Sequence, residues 1–447
     1  MGLLTPLGLT TPEEFMAVQM ATANKLIDVA TKQTGTTADD WVVRPFVPDG
    51  QTGPTAASLP GLQTPDLDLT SNANVTATQL GWDMDLSGVV EPSVSWITVN
   101  NTTTVPDQKF YGVYGWWEDA VYGGAGITLT EATPNTTLTA SLTYPPVTQG
   151  WRFVSGAQTL DMWMTEMCHG WSEAVGGITK SPIIYTQNSN INLDIWIADS
   201  GFVSTPGQDH RLGLFMLTCE RVGETIAEPG IHTIVPGGLV TSQMFQDSQN
   251  STASELMGMA TKATNTPASD WLVRGFWLDD ANTGVLSNND LSGSEVVTAA
   301  SMNGWQIDAS AFINGNTWYT ALADTTVPDN KFYGFHGGFQ GHAGLGHFGG
   351  GVAAGAPRHM TGTTVAAWAL KKGASTVAFW PCQEVNAWYQ NWNFIANKPV
   401  FYDQNSTIDI WMVANDSNYS DMDYIAGLMG LTAERIGENI SNAKISN

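Results

Sequence analysis

The sequence predicts an all-β protein built of two tandem, duplicated β-sandwich domains of jelly-roll type, each preceded by an amphipathic helix. Three observations carry that expectation. The stretch VPDQKFYG at Val105–Gly112 returns as VPDNKFYG at Val327–Gly334, 222 positions later. Val, Ile, Thr, Trp, Tyr and Phe alternate with turns rich in Gly, Asn, Ser and Pro, as short strands joined by many loops require. Charged residues make up only 13% of the chain while apolar residues hold an ordinary 42%, so uncharged turn formers fill the gap.

The elements follow in order. Thr11-Pro12-Glu13-Glu14 is a helix start, with Thr11 as N-cap, Pro12 in the first helical position and Glu14 closing a capping box. Met16, Met20, Ala23, Ile27 and Ala30 then share one face and Gly35 ends the run, which predicts a helix over residues 12–33. Candidate strands in the first half lie at 40–46, 94–99, 108–115, 126–130, 137–142, 151–155, 192–198 and 212–222. Their spacing by turn-rich loops points to a sandwich or barrel rather than to alternating βα units. About eight antiparallel strands per copy with long loops suit a jelly roll best.

The second half repeats this order. Trp41, Arg44 and Phe46 match Trp271, Arg274 and Phe276 at an offset of 230, which also places Thr241 on Thr11 and predicts a second helix over 242–263. Gly81-Trp82 matches Gly304-Trp305 at 223, and Asp194-Ile195-Trp196 matches Asp409-Ile410-Trp411 at 215. Offsets that only shrink mean one order of elements with loops shortened in the second copy. The Pro- and Gly-punctuated stretch Glu228–Gly238 is the expected link. The domains are therefore set at 1–232 and 233–447.

Composition excludes several functions. The net charge is −25 with 17 Lys plus Arg, and Lys371-Lys372 is the densest basic pair. Gripping a phosphate backbone or an anionic membrane takes clustered cations, so direct nucleic-acid binding is not expected. No uninterrupted apolar run reaches the length of a spanning helix, and the first residues lack the basic and apolar regions of a signal peptide. The three cysteines, Cys168, Cys219 and Cys382, have no CxxC spacing and read as free buried thiols.

Candidate site residues divide by type. Trp41 and Trp271, shared by the copies, read as core or interface aromatics. Arg44 and Arg274 are scarce cations that need carboxylate partners, with Glu220 and Glu434 as candidates. Trp116 and Trp117, with Trp388 and Trp392, are possible interface or glycan-stacking residues. The Gly-rich stretch Phe335–Gly351 reads as a loop and holds His336, His342 and His347. These are weak metal candidates, since no HxH or HExxH spacing occurs. The missing HxH also excludes tandem cupins. Glu118-Asp119 and Asp83/Asp85 read as solvated surface acids before they read as a glycosidase pair. GxSxG and the P-loop are absent. No catalytic residue and no cofactor are expected, and the protein is not expected to be an enzyme.

With two tandem β-units, a helix ahead of each and no catalytic signature, the chain resembles a double jelly-roll viral major capsid protein. The resemblance is architectural and spans the whole chain. It implies a virion structural protein, made in a host cytoplasm, that self-assembles as a homo-oligomer such as a trimer and contacts other virion proteins. The alternatives are a tandem β-sandwich glycan-binding or cell-surface module and, behind it, a glycoside-acting enzyme.

Overall fold

The computed structural model describes residues 3–46, 75–78, 81–85, 96–122, 148–168, 176–197, 208–223, 229–276, 297–299, 305–308, 318–342, 365–382, 393–414 and 423–437. They form two compact units, with the change from first to second falling between Ile231 and His232.

The first unit opens with β1 (Leu4–Pro6) and helix α1 (Pro12–Thr34). Its strands are β2 (Trp41–Phe46), β3 (Val75–Thr78), β4 (Gly81–Asp85), β5 (Ile97–Thr104), β6 (Lys109–Tyr122), β7 (Thr148–Ser155), β8 (Gln158–Met164), β9 (Gly176–Tyr185), β10 (Asn190–Ile197), β11 (Gln208–Arg221) and β12 (Gly230–Ile231). One sheet carries the order β2-β11-β6-β9 and the other β5-β10-β7-β8. Taking β2 and β5–β11 as eight strands in sequence, the two sheets read 1-8-3-6 and 2-7-4-5. This is the jelly-roll topology. β1 extends the first sheet beyond β9, β12 lies parallel to β2, and the β3–β4 hairpin joins along β11.

The second unit repeats the plan. β13 (Ile234–Pro236) and helix α2 (Ser242–Thr264) precede β14 (Trp271–Phe276), β15 (Val297–Ala299), β16 (Trp305–Asp308), β17 (Trp318–Thr326) and β18 (Lys331–His342). β19 (Val365–Lys372), β20 (Ser375–Pro381), β21 (Asn393–Tyr402), β22 (Thr407–Ala414) and β23 (Asp423–Arg435) complete it. The sheets are β14-β23-β18-β21 and β17-β22-β19-β20, again 1-8-3-6 and 2-7-4-5. The protein is thus two duplicated jelly-roll sandwiches, each led by a helix. The candidate strands at 126–130 and 137–142 lie outside the described residues.

Each helix begins and ends as its sequence directs. Glu14 N donates to Thr11 Oγ1 at 3.2 Å and Thr11 N to Glu14 Oε2 at 3.3 Å, while Gly35 closes α1 with φ 69°. α2 keeps the Thr241 cap, accepting from Met244 N at 3.1 Å, but has Met244 in place of the glutamate and ends at Asn265, φ 54°. α1 buries Phe15, Val18, Gln19, Thr22, Ala23, Leu26 and Ala30 against its sheet. α2 buries only Thr252, Leu256 and Ala260.

The repeated VPDxKFYG motif makes the same contacts in both copies. Lys109 N donates to Pro106 O at 3.2 Å, and Gln108 takes φ 59°, which turns the chain from β5 into β6. Asn330 does the same in the second copy at φ 61°. Phe110 packs edge-on against Trp41, ring centroids 5.5 Å apart, as Phe332 does against Trp271. Gly112 sits beneath α1, where a Cβ would come within 2.7 Å of Thr22 Cγ2. Gly334 sits beneath α2, within 2.8 Å of Thr252 Cγ2. The motif therefore joins a turn, a helix seat and the sandwich interior in one short stretch.

Candidate functional site

A charged cluster lies inside each sandwich. Arg44 on β2 pairs in register with Thr218 on β11, and Tyr111 on β6 flanks Thr218 from the other side. Arg44 Nη2 donates to Glu220 Oε1 at 2.8 Å, Thr218 Oγ1 donates to the same oxygen at 3.1 Å, and Lys109 Nζ lies 3.9 Å from it. Arg44 and Glu220 are fully buried. Burial, and then the charge of Glu220, holds the Tyr111 hydroxyl well above the usual phenol range. In the second unit Arg274 Nη2 donates to Glu434 Oε1 at 3.0 Å and Lys331 Nζ lies 3.8 Å away. Here Arg274 is 41% exposed. A carboxylate clamped between an arginine and a lysine ties the first strand to the last; it is a fastening, since both charges are spent on each other.

The aromatic candidates are core. Trp41 donates from Nε1 to Thr36 Oγ1 and Trp271 to Thr266 Oγ1, both at 2.7 Å, so each locks the segment after its helix. Trp116 belongs to the sandwich core with Trp82, Trp151, Phe153 and Trp163. Trp117 is also buried and lies on Gly213, where a Cβ would approach its ring to 2.4 Å. Trp388 and Trp392 lie outside the described residues.

Two expectations are corrected. Glu118 is buried rather than solvated, and it accepts the backbone N–H of Thr148 at 3.2 Å at the start of β7. It lies on a strand that carries core residues on alternate positions, so the sandwich covers it. His336 and His342 lie in strand β18, not in a loop. The glycines that suggested a loop serve close strand packing, since a Cβ on Gly337 would meet Phe394 O at 2.3 Å. His336 is buried against Phe245 of α2 at 5.9 Å between ring centroids. The side chain of His342 and all of His347 lie outside the described residues. Among the described residues no group of three or more His, Cys, Asp or Glu is placed to hold a metal. The three cysteines are buried free thiols. Desolvation pushes Cys168 up to about 11 and the other two further, which keeps them protonated and unreactive at neutral pH.

Sequence reasoning missed a row on the outward side of the second sheet, in which Asp194 is buried beneath its neighbours. On the outer face of the β5-β10-β7 sheet, Asp194 accepts from Thr98 Oγ1 at 2.8 Å and from Arg152 Nε at 2.9 Å. The Arg152 guanidinium lies over the Trp96 ring at 4.9 Å, and Trp96 meets Trp196 edge-on at 5.6 Å. Leu160 and Met164 stand exposed on the edge strand β8. The alternation of β10, with Ile191, Leu193 and Ile195 inward, is the signal that puts Asp194 and Trp196 outward.

No family model and no curated protein matches the chain. Among solved structures it is similar to the tandem CBM51 modules of a family 98 glycoside hydrolase from Streptococcus pneumoniae, at 11% identity, covering 81% of this chain and 87% of that one, with a TM-score of 0.16. It is also similar to the ANXUR2 extracellular domain from Arabidopsis thaliana, at 9% identity over 90% and 97% of the two chains, TM-score 0.16. The tandem CBM22 domain of Paenibacillus barcinonensis Xyn10C matches at 8% identity over 79% and 81%, TM-score 0.11. TM-scores this low carry no functional argument. No helix among the described residues is long and apolar enough to cross a membrane.

Proposed function

We propose that the protein is a virion structural protein: a capsid subunit that self-assembles as a homo-oligomer through lateral contacts of its duplicated jelly rolls. The observation that supports this best is the repetition of one complete 1-8-3-6 and 2-7-4-5 sandwich within a single chain. Duplicated units offer two near-equivalent sets of edges, and repeated contacts of that kind close into rings or shells. In this reading the protein acts by packing and not by catalysis, with no cofactor, and resides in the virion with other virion proteins as partners. The strand-tying charge clusters and core tryptophans are what a rigid building block uses to hold its shape. Sedimentation of the purified chain at several concentrations tests it. Discrete oligomers that grow with concentration are expected; a monomer throughout counts against a shell role.

A second reading is a tandem glycan-binding module. It is favoured by the outer row of β5-β10-β7, where half-buried Trp96 and Trp196 stand beside partly exposed Arg152, which is itself bonded to the buried Asp194. Sugar rings stack on aromatic faces while polar neighbours fix their hydroxyls. Against it, Trp116 and Trp117 are closed off from ligands, and Trp96 and Trp196 meet at 76° instead of forming one flat platform. A glycan array decides: binding abolished by Trp96→Ala favours the module, and no binding favours the subunit.

A further inference from the structure

Both copies of the motif strand carry a β-bulge at the same place. In β6 the register slips between Val113 and Gly115, which leaves Tyr114 as the extra residue. In β18 it slips between Phe335 and Gly337, which leaves His336. A bulge re-aims the side chain it carries, and here both point at the first turns of the overlying helix. Tyr114 is held from three sides. Its hydroxyl accepts from Gln19 Nε2 at 2.9 Å, Phe15 meets its ring edge-on at 6.1 Å, and Phe215 stacks on it at 5.8 Å. His336 meets Phe245, the counterpart of Phe15, but its buried Nδ1 has no hydrogen-bond partner. Ser248, which replaces Val18 on the same helix face, also buries a hydroxyl oxygen without a partner. α1 seats Phe15, Val18 and Gln19 in its first turns, whereas α2 buries nothing before Thr252.

We propose that His336 is a proton-operated latch: when its imidazole takes up a proton, the N-terminal half of α2 lifts from the second sandwich while α1 stays seated on the first. Among the described residues no carboxylate faces the imidazole, so a charge on it stays uncompensated beneath the helix. The described charged groups of the packed elements are engaged or outward. Asp247, Glu255 and Lys262 of α2 are exposed, with Asp247 accepting from Gln243 at 2.8 Å. Glu434 of β23 is clamped by Arg274 and by Lys331 of β18 itself. Arg435 of β23 reaches Asn330, and Lys398 of β21 is partly exposed. His232, just ahead of β13, is the other buried histidine near β21. None of these charges acts on His336, whose affinity for a proton is depressed by burial alone, down to about 4. The lifted state binds the proton more readily than the seated one. Seating is therefore full above about pH 6.5, weakens as pH falls through that value, and is weakened to its limit below about pH 4.

Hydrogen exchange of the full chain at pH 8 and pH 5, corrected for intrinsic rates, tests the latch. Protection of the first turns of α2 is expected to fall about 30-fold between the two, the ratio that those two proton affinities give. Protection of α1 is expected to hold. Parallel loss in both helices would overturn the proposal. His336→Tyr, which installs the residue of the first copy, is expected to remove the pH dependence; a dependence that survives it overturns the proposal. Should that variant fold poorly, Tyr114→His supplies the reciprocal test, since it is expected to transfer the pH dependence to α1, and failure to do so contradicts the latch. This proposal does not rest on the capsid reading, and the two fail independently.

Discussion

The two sandwiches have the same topology and differ in how tightly they are closed. In the first, Arg44 is fully buried with Glu220, and Tyr114 is bonded to the helix through Gln19. In the second, the matching Arg274 is 41% exposed and the matching bulge residue is His336. The frame is fixed by strand order and by the VPDxKFYG motif, while the seat of the helix and the seal of the charge cluster vary. A duplicated protein can therefore keep one architecture and place its adjustable parts in one copy.

Variants that strike matched positions measure this difference. Glu220→Ala leaves the buried Arg44 unpaired and is expected to cost about 3–5 kcal/mol. Glu434→Ala is expected to cost less, about 2–3 kcal/mol, because solvent screens the exposed Arg274 while Lys331 stays buried beside the lost carboxylate. Chemical denaturation checks both, and equal losses would erase the distinction. Phe15→Ala empties a fully buried site and is expected to cost about 3 kcal/mol or more. Phe245, only half-buried, should cost less than half of that. Gly112→Ala and Gly334→Ala drive a methyl into Thr22 and Thr252, so each should cost about 1–3 kcal/mol by overpacking, and here the copies should agree. The smallest effect is the cap. Thr11→Ala should cost about 1 kcal/mol and Thr241→Ala slightly less, because α2 lacks the reciprocal glutamate.

Much of the fold is legible in the sequence, for local reasons. The helices are written in Thr-Pro-Glu-Glu and its echo, and they run to Thr34 and Thr264, one residue beyond the predicted ends. The copied motif discloses the duplication because its turn residue, phenylalanine and glycine have the same roles in both sandwiches. Strands β8 and β9 are less legible. Gln158–Met164 holds exposed Leu160 and Met164 beside inward Trp163, so its apolar pattern does not alternate. β9 is opened by Gly176-Gly177, which look like a loop but lie where backbones approach closely: a Cβ on Gly176 would meet Trp116 O at 2.5 Å. The same ambiguity misplaced His336, since glycine marks both turns and tight sheet contacts. The outer row of Trp96, Arg152 and Asp194 brings together residues far apart in the chain, and only strand pairing shows that they meet.

The most direct measurement is a negative-stain electron micrograph of this purified chain at high concentration. Closed shells, rings or regular flat arrays are the expected result. A field of separate, single particles under every condition of concentration and salt would contradict a subunit built for assembly.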